Sequence, residues 1–141
     1  MKLEHLLQAY KVNNIEAELK DMSIGKEKAG VINFAKGISA SYLLDDEEIV
    51  IAMKIFINCF SRGITKADKY IAYILEAINV MQRTMILLGN ITQHEANMIL
   101  EKLGTFDNTF KEGKQIKHLS HIYKLEVIEG LLCLSIEEIE E

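Results

Sequence analysis

Apolar positions recur at steps of three and four along much of this 141-residue chain. From Lys2 to Met22 they fall at Leu3, Leu6, Leu7, Tyr10, Ile15 and Leu19, a helical spacing with Asn13 and Asn14 as a possible break. Gly25 marks a polar loop over 23–28. A second helix is expected from about Glu27 to Leu44, carrying Val31, Ile32, Phe34, Ala35, Ile38 and Tyr42, with Gly30 and Gly37 weakening it. Asp45, followed three residues on by Glu48, reads as the cap of a third helix ending near Ser61. Thr65 and Asp68 cap a long helix to Leu88, stopped by Gly89 and Asn90. Thr92 and Glu95 form a capping box ahead of a short helix over Gln93–Leu103, which ends at Gly104. A last helix is expected from about Lys114 to Glu138, fraying at the acidic C-terminal IEEIEE. No convincing strand stands out. The expectation is all-α, with six or seven helices in one domain spanning 1–141.

The helix over 65–88 has the broadest apolar surface. Ala67, Ile71, Ile74, Ile78, Met81, Met85 and Leu88 make one seam, and Ile64, Leu75, Val80, Ile86 and Leu87 widen it. Lys66, Lys69, Tyr73, Glu76 and Arg83 lie opposite. So wide an arc belongs to a central helix packed on more than one side. Its cover is the protein's own core, a second copy of the chain, or a small apolar ligand. Met53, Met81, Met85 and Met98 supply adaptable surface, which suits a cavity or an accommodating interface.

Composition narrows the classes. Hydrophobic residues make up 49% and charged residues 26%, a globular balance. The net charge of −5 argues against a phosphate backbone as the main partner. Proline is absent, so long helices meet no interruption. Cys59 and Cys133 show no partner spacing and suggest buried thiols in a reducing compartment. No signal-peptide pattern opens the chain, and no apolar run reaches the ~18 residues of a membrane span. The expected location is the cytoplasm.

Candidate chemistry is sparse. His118 and His121 fall three apart, which on a helix puts them on one face, but nothing in the sequence supplies the third or fourth ligand that a metal site needs. They read as exposed histidines. Arg62 and Arg83 are the two arginines and can pair with a carboxylate or an anionic head group. The simpler reading of both is a surface or helix-end charge. No Gly-rich phosphate loop, Ser-His-Asp set or Cys-His pair is defensible, so neither an enzyme nor a metal site is expected.

One further pattern lies within 62–123. Gly63, Ile64 and Thr65 enter the long helix; Ile91, Thr92, Glu95, Ile99 and Leu103 mark the capped short one; Phe106, Asp107 and Phe110 follow. This order resembles the non-haem, globin-like sensor domains at the N-termini of stressosome RsbR-type proteins and in related sporulation-inhibiting sensor-domain proteins. The resemblance implies a globin-like helical fold without haem, an internal apolar pocket for a ligand such as a fatty acid, and signalling through protein contacts. Helical facing then makes Phe56, Phe60, Tyr70, Ile74, Met81 and Met85 the expected pocket wall. Arg62, Arg83, His118 and His121 become the head-group candidates.

Two functions are therefore expected. The first is a cytoplasmic sensory or regulatory module that binds a small apolar ligand and modulates a signalling partner, as a homodimer. The second is a helical inhibitor or adaptor, encoded by a phage or plasmid, that binds a protein and no small ligand.

Overall fold

The computed structural model describes residues 1–20, 28–35, 37–58, 67–105 and 114–139, the side chains of 67–71 excepted. It overturns the all-α expectation. The described residues form a seven-stranded antiparallel sheet with three helices. The globin-like fold implied by the resemblance falls with it.

Helix α1 (Leu3–Val12) opens the chain, followed by strands β1 (Glu18–Lys20), β2 (Lys28–Ala35), β3 (Ile38–Leu44) and β4 (Val50–Ile57). Helices α2 (Ala67–Gly89) and α3 (Gln93–Lys102) come next, then β5 (Gln115–His118), β6 (His121–Ile128) and β7 (Leu131–Glu138). The strands lie in the order β1-β2-β3-β4-β7-β6-β5. Two meanders thus meet at the β4–β7 pair, where Ile55 lies opposite Leu134. Among the described residues, strands β2 and β3 stand where a helix was expected over 27–44, β4 within 45–61, and β5 to β7 within 114–138; the expected helical stretch towards Met22 holds β1 instead.

The reason is a period of two that the three-and-four spacing concealed. In β3, Ile38, Ala40 and Tyr42 point one way while Ser39 and Ser41 point the other. In β6, His121, Tyr123 and Leu125 alternate with Ile122, Lys124 and Glu126. Successive side chains on a strand project to opposite faces. The ladder register then lines up Ile32, Ala40, Ile55, Leu134 and Leu125 across five strands, each 1% exposed or less. A stretch with apolar residues on both faces, such as VIAMKIFI, matches helical and strand templates alike.

Turn chemistry completes the correction. Asp45 caps no helix. Its carboxylate accepts the backbone N–H groups of Glu47 (2.8 Å) and Ile49 (3.0 Å), an Asx turn linking β3 to β4 with Glu48 at φ +65°. Glu129 (φ +51°) and Gly130 (φ +79°) join β6 to β7 in the doubly left-handed geometry of a tight hairpin.

Where helices were expected and found, the local signals are the ones read from the sequence. Helix α1 stops at Asn13, and Asn14 adopts φ +59°. The Thr92–Glu95 capping box is present in full, with Glu95 N–H donating to Thr92 Oγ1 at 3.1 Å. All three helices pack on one face of the sheet. Tyr10 of α1 is fully buried, its ring edge-on to Phe34 at 5.1 Å. Its hydroxyl lies 2.6 Å from Thr84 Oγ1 of α2, and Thr84 in turn donates to the Val80 carbonyl at 2.7 Å. Met53, Met81, Met85, Ile99, Leu100 and Leu103 fill the space between helices and sheet. No helix among the described residues is long and apolar enough to cross a membrane.

Candidate functional site

The helices cover one face of the sheet, and no described element covers the other. The pairing register assembles that second face row by row. Leu43, Ala52, Glu137 and Ile122 lie side by side on β3, β4, β7 and β6. The next row is Ser41, Lys54, Ser135 and Lys124, and the one after it Ser39, Phe56, Cys133 and Glu126. Most of these side chains are half-buried, as expected for neighbours on a pleated surface. Cys133 and Ser135 are buried, with Phe56 and Lys54 of β4 on one side and Glu126 and Lys124 of β6 on the other. Burial pushes the Cys133 thiol above its ordinary pKa, with the Ser135 hydroxyl 3.9 Å away opposing the shift. Lys124 pairs with Glu126 at 3.4 Å. Lys54 and Glu137, diagonal neighbours on adjacent strands, have no ion-pair partner among the described residues.

The expected pocket residues do not gather around one space. Met81 and Met85 are buried core residues on the helix side of the sheet, and Ile74 is half-buried on α2. Phe56 lies on the opposite, uncovered face, because Ile55 and Ile57 on either side of it point into the core. Phe60 and the Tyr70 side chain lie outside the described residues. A sheet therefore separates Phe56 from the two methionines. The groove of about 1090 Å³ beside α1 is lined by residues such as Leu7, Lys11, Ile15, Tyr42 and Glu48, and none of the expected six is among them.

The head-group candidates are likewise dispersed. Arg62 lies outside the described residues, and Arg83 is half-buried on α2 with no ion-pair partner among those described. His118 and His121 share no helix. They are the closing pair of the β5–β6 hairpin, one on each strand, around Leu119 at φ +53°. They do share a face, because residues directly opposite in an antiparallel pair project together. His118 Nε2 bonds the Glu95 carboxylate, clasping α3 to the hairpin. That contact, ahead of those from the Thr92 backbone and hydroxyl, holds the Glu95 carboxyl below its ordinary pKa. His121 is buried, with Nδ1 2.8 Å from Ser120 Oγ and its ring 6.4 Å from that of Tyr123. Burial keeps its imidazole below its usual pKa, against the pull of Glu138. Among the described residues no group of three His, Cys, Asp or Glu side chains is placed to hold a metal ion.

No family model, curated protein or solved structure matches the chain. The sheet face that no described element covers was missed in the sequence reading. The alternation Ser39, Ser41 against Ile38, Ala40, Tyr42 was the signal for it in the sequence.

Proposed function

We propose that this protein is a non-enzymatic interaction module that receives a protein partner on the sheet face that no described element covers. The observation that carries the reading is the make-up of that face. Apolar side chains (Leu43, Phe56 and Ile122) stand among small residues and charges of both signs. A solvated antiparallel face is ordinarily polar, with the apolar residues on the core side. Here a large ring and branched aliphatics remain outside, where they gain from cover. Lys54 and Lys124 beside Glu126 and Glu137 suit a protein surface, whereas a phosphate backbone calls for a uniformly basic one.

The small-ligand reading has less to stand on, since Met81 and Met85 are used in the core and Phe56 faces away from them. The test is Ala52→Arg, which plants a long cation in the middle of the uncovered face and leaves the core side alone. Tagged wild-type and variant chains are compared for partners retained from an extract of the source cells and for self-association. A partner held by the wild type and lost by the variant, at equal urea stability, is the expected result. Equal retention by both, or no association of any kind, refutes the reading.

A further inference from the structure

We propose that the tip of the β5–β6 hairpin is a proton-operated latch: in mild acid His121 takes up a proton, and the tip lets go of helix α3 at the Glu95–His118 contact while the centre of the sheet stays paired. The proposal does not depend on what the other face of the sheet binds.

Four titratable side chains stand in one row at this end of the molecule. His118 on β5 lies opposite His121 on β6, and His121 lies opposite Glu138 on β7. Residues paired in this way project from the same face of the sheet. That face is the one towards the helices, because Tyr123 and Leu125 are buried there at the next inward positions of β6. Glu95 completes the row from α3, its carboxylate bonded to His118 Nε2. His121 is also the one buried histidine or carboxylate among the described residues; the other buried polar side chains are those of Thr84 and Ser135. A histidine is the side chain whose charge changes most readily near neutral pH.

Its surroundings set the direction of the response. His118 faces it from β5, Glu138 from β7, and the Tyr123 ring lies 6.4 Å away on its own strand. Glu95 stands beyond His118, and the Met1 amine adds a positive charge. Burial keeps the His121 imidazole below its ordinary pKa, Glu138 pulls the other way, and the Met1 amine reinforces the effect of burial. The closed tip therefore resists the proton, and a hydrated tip accepts it. A proton, like any ligand, moves an equilibrium towards the state that binds it better. A proton on both rings also sets like charges directly opposite on one rung, which repels.

The tip is held lightly. It turns through Leu119, at φ +53° and 69% exposed. Strand β5 pairs with β6 over four residues and is the last strand of the sheet. At its far end Lys114 Nζ donates to the Lys102 carbonyl of α3 at 2.5 Å, a tie that involves neither imidazole nor carboxylate. The His118 end is thus the one that a proton loosens.

Amide hydrogen exchange of the full chain, followed by NMR in low urea and corrected for intrinsic rates, is the test. The Ile139 amide donates to the Ser120 carbonyl at 2.9 Å and reports on the tip; the amides of the β4–β7 pair report on global unfolding. Local opening exposes little surface, so the tip amide is expected to exchange with almost no urea dependence while the β4–β7 amides show a steep one. The tip opening constant should rise as pH falls from 7 to 5, by at most about tenfold per pH unit for one proton. His121→Asn should abolish that rise. Glu95→Gln should raise tip opening at pH 7 and leave the acid response in place, which separates the latch from its trigger. The β4–β7 amides of each variant show in the same experiment that it is folded. A tip amide with the urea dependence of the core, a urea-independent opening that ignores pH, or an acid response that survives His121→Asn overturns the proposal.

Discussion

Replacing Tyr123 by Phe takes one oxygen out of the core. Tyr123 is fully buried on β6, and its hydroxyl has no hydrogen-bond partner among the described residues; it abuts Gly89 at the end of α2. Burial, with the charge of Glu95 adding to it, pushes its pKa up to about 12. A buried polar group without a partner costs about 1–3 kcal/mol in lost hydration. The Phe ring retains the packing and removes that cost, so the variant is expected to gain about 1 kcal/mol, a rise in Tm of about 3–5 °C for a chain this size. Tyr10 is the control. Its hydroxyl is bonded to Thr84, so Tyr10→Phe is expected to lose about 1 kcal/mol. Urea unfolding followed by far-UV circular dichroism measures both, since the chain has no Trp to report by fluorescence. The signs should be opposite at equal m-values. Alkaline titration adds a check. A tyrosine whose folded pKa is raised contributes stability below pH ~10 that is lost as pH climbs towards the folded value, and Tyr123→Phe removes that part of the loss. If Tyr123→Phe destabilises as much as Tyr10→Phe does, the hydroxyl is satisfied after all and the reasoning fails.

The other expectations concern the same region. Gly89→Ala gains helix propensity but drives a methyl group into the Tyr123 hydroxyl, for a net loss of about 1–2 kcal/mol that the added change Tyr123→Phe should largely recover; an additive double variant rules the clash out. Thr92→Ala breaks the capping box and should cost about 1 kcal/mol by urea titration, so a neutral result counts against the box. His121 has a depressed folded pKa, so the unfolded chain takes the proton more readily and stability falls as pH drops below ~6.5. His121→Asn should flatten the urea midpoint between pH 7 and 5, and an unchanged slope would show that other groups carry it. Glu95, also depressed, keeps its stabilising contribution above pH ~4.3 and loses it as pH falls through the folded value; His118→Ala should weaken that acid dependence.

The gap between expectation and structure has identifiable causes. Apolar residues stand on both faces of β4, β6 and β7, and a stretch apolar on both faces matches helical spacing by chance. Lack of proline permits long helices, but it equally permits central strands, where proline would remove a ladder hydrogen bond. The abundance of Ile, a strong strand former, was a signal in its own right. Asp45 with Glu48 satisfies the spelling of a capping box, yet the same carboxylate closes an Asx turn when apolar runs of period two flank it. Phe56 was grouped with Met81 and Met85 by helical facing, but one residue of offset on a strand reverses the face.

What the chain determined by itself was local: the end of α1 at Asn13, the stop of α2 at Gly89 and Asn90, and the capped start of α3, each settled by backbone groups and side chains a few residues apart. What the tertiary structure decided was pairing. The meeting of β4 with β7 joins residues about eighty positions apart, and that contact alone assigns Lys54, Phe56, Cys133 and Glu137 to a common surface. Hydrogen bonds between strands are satisfied by partners remote in sequence, so the face they build has no local signature to read.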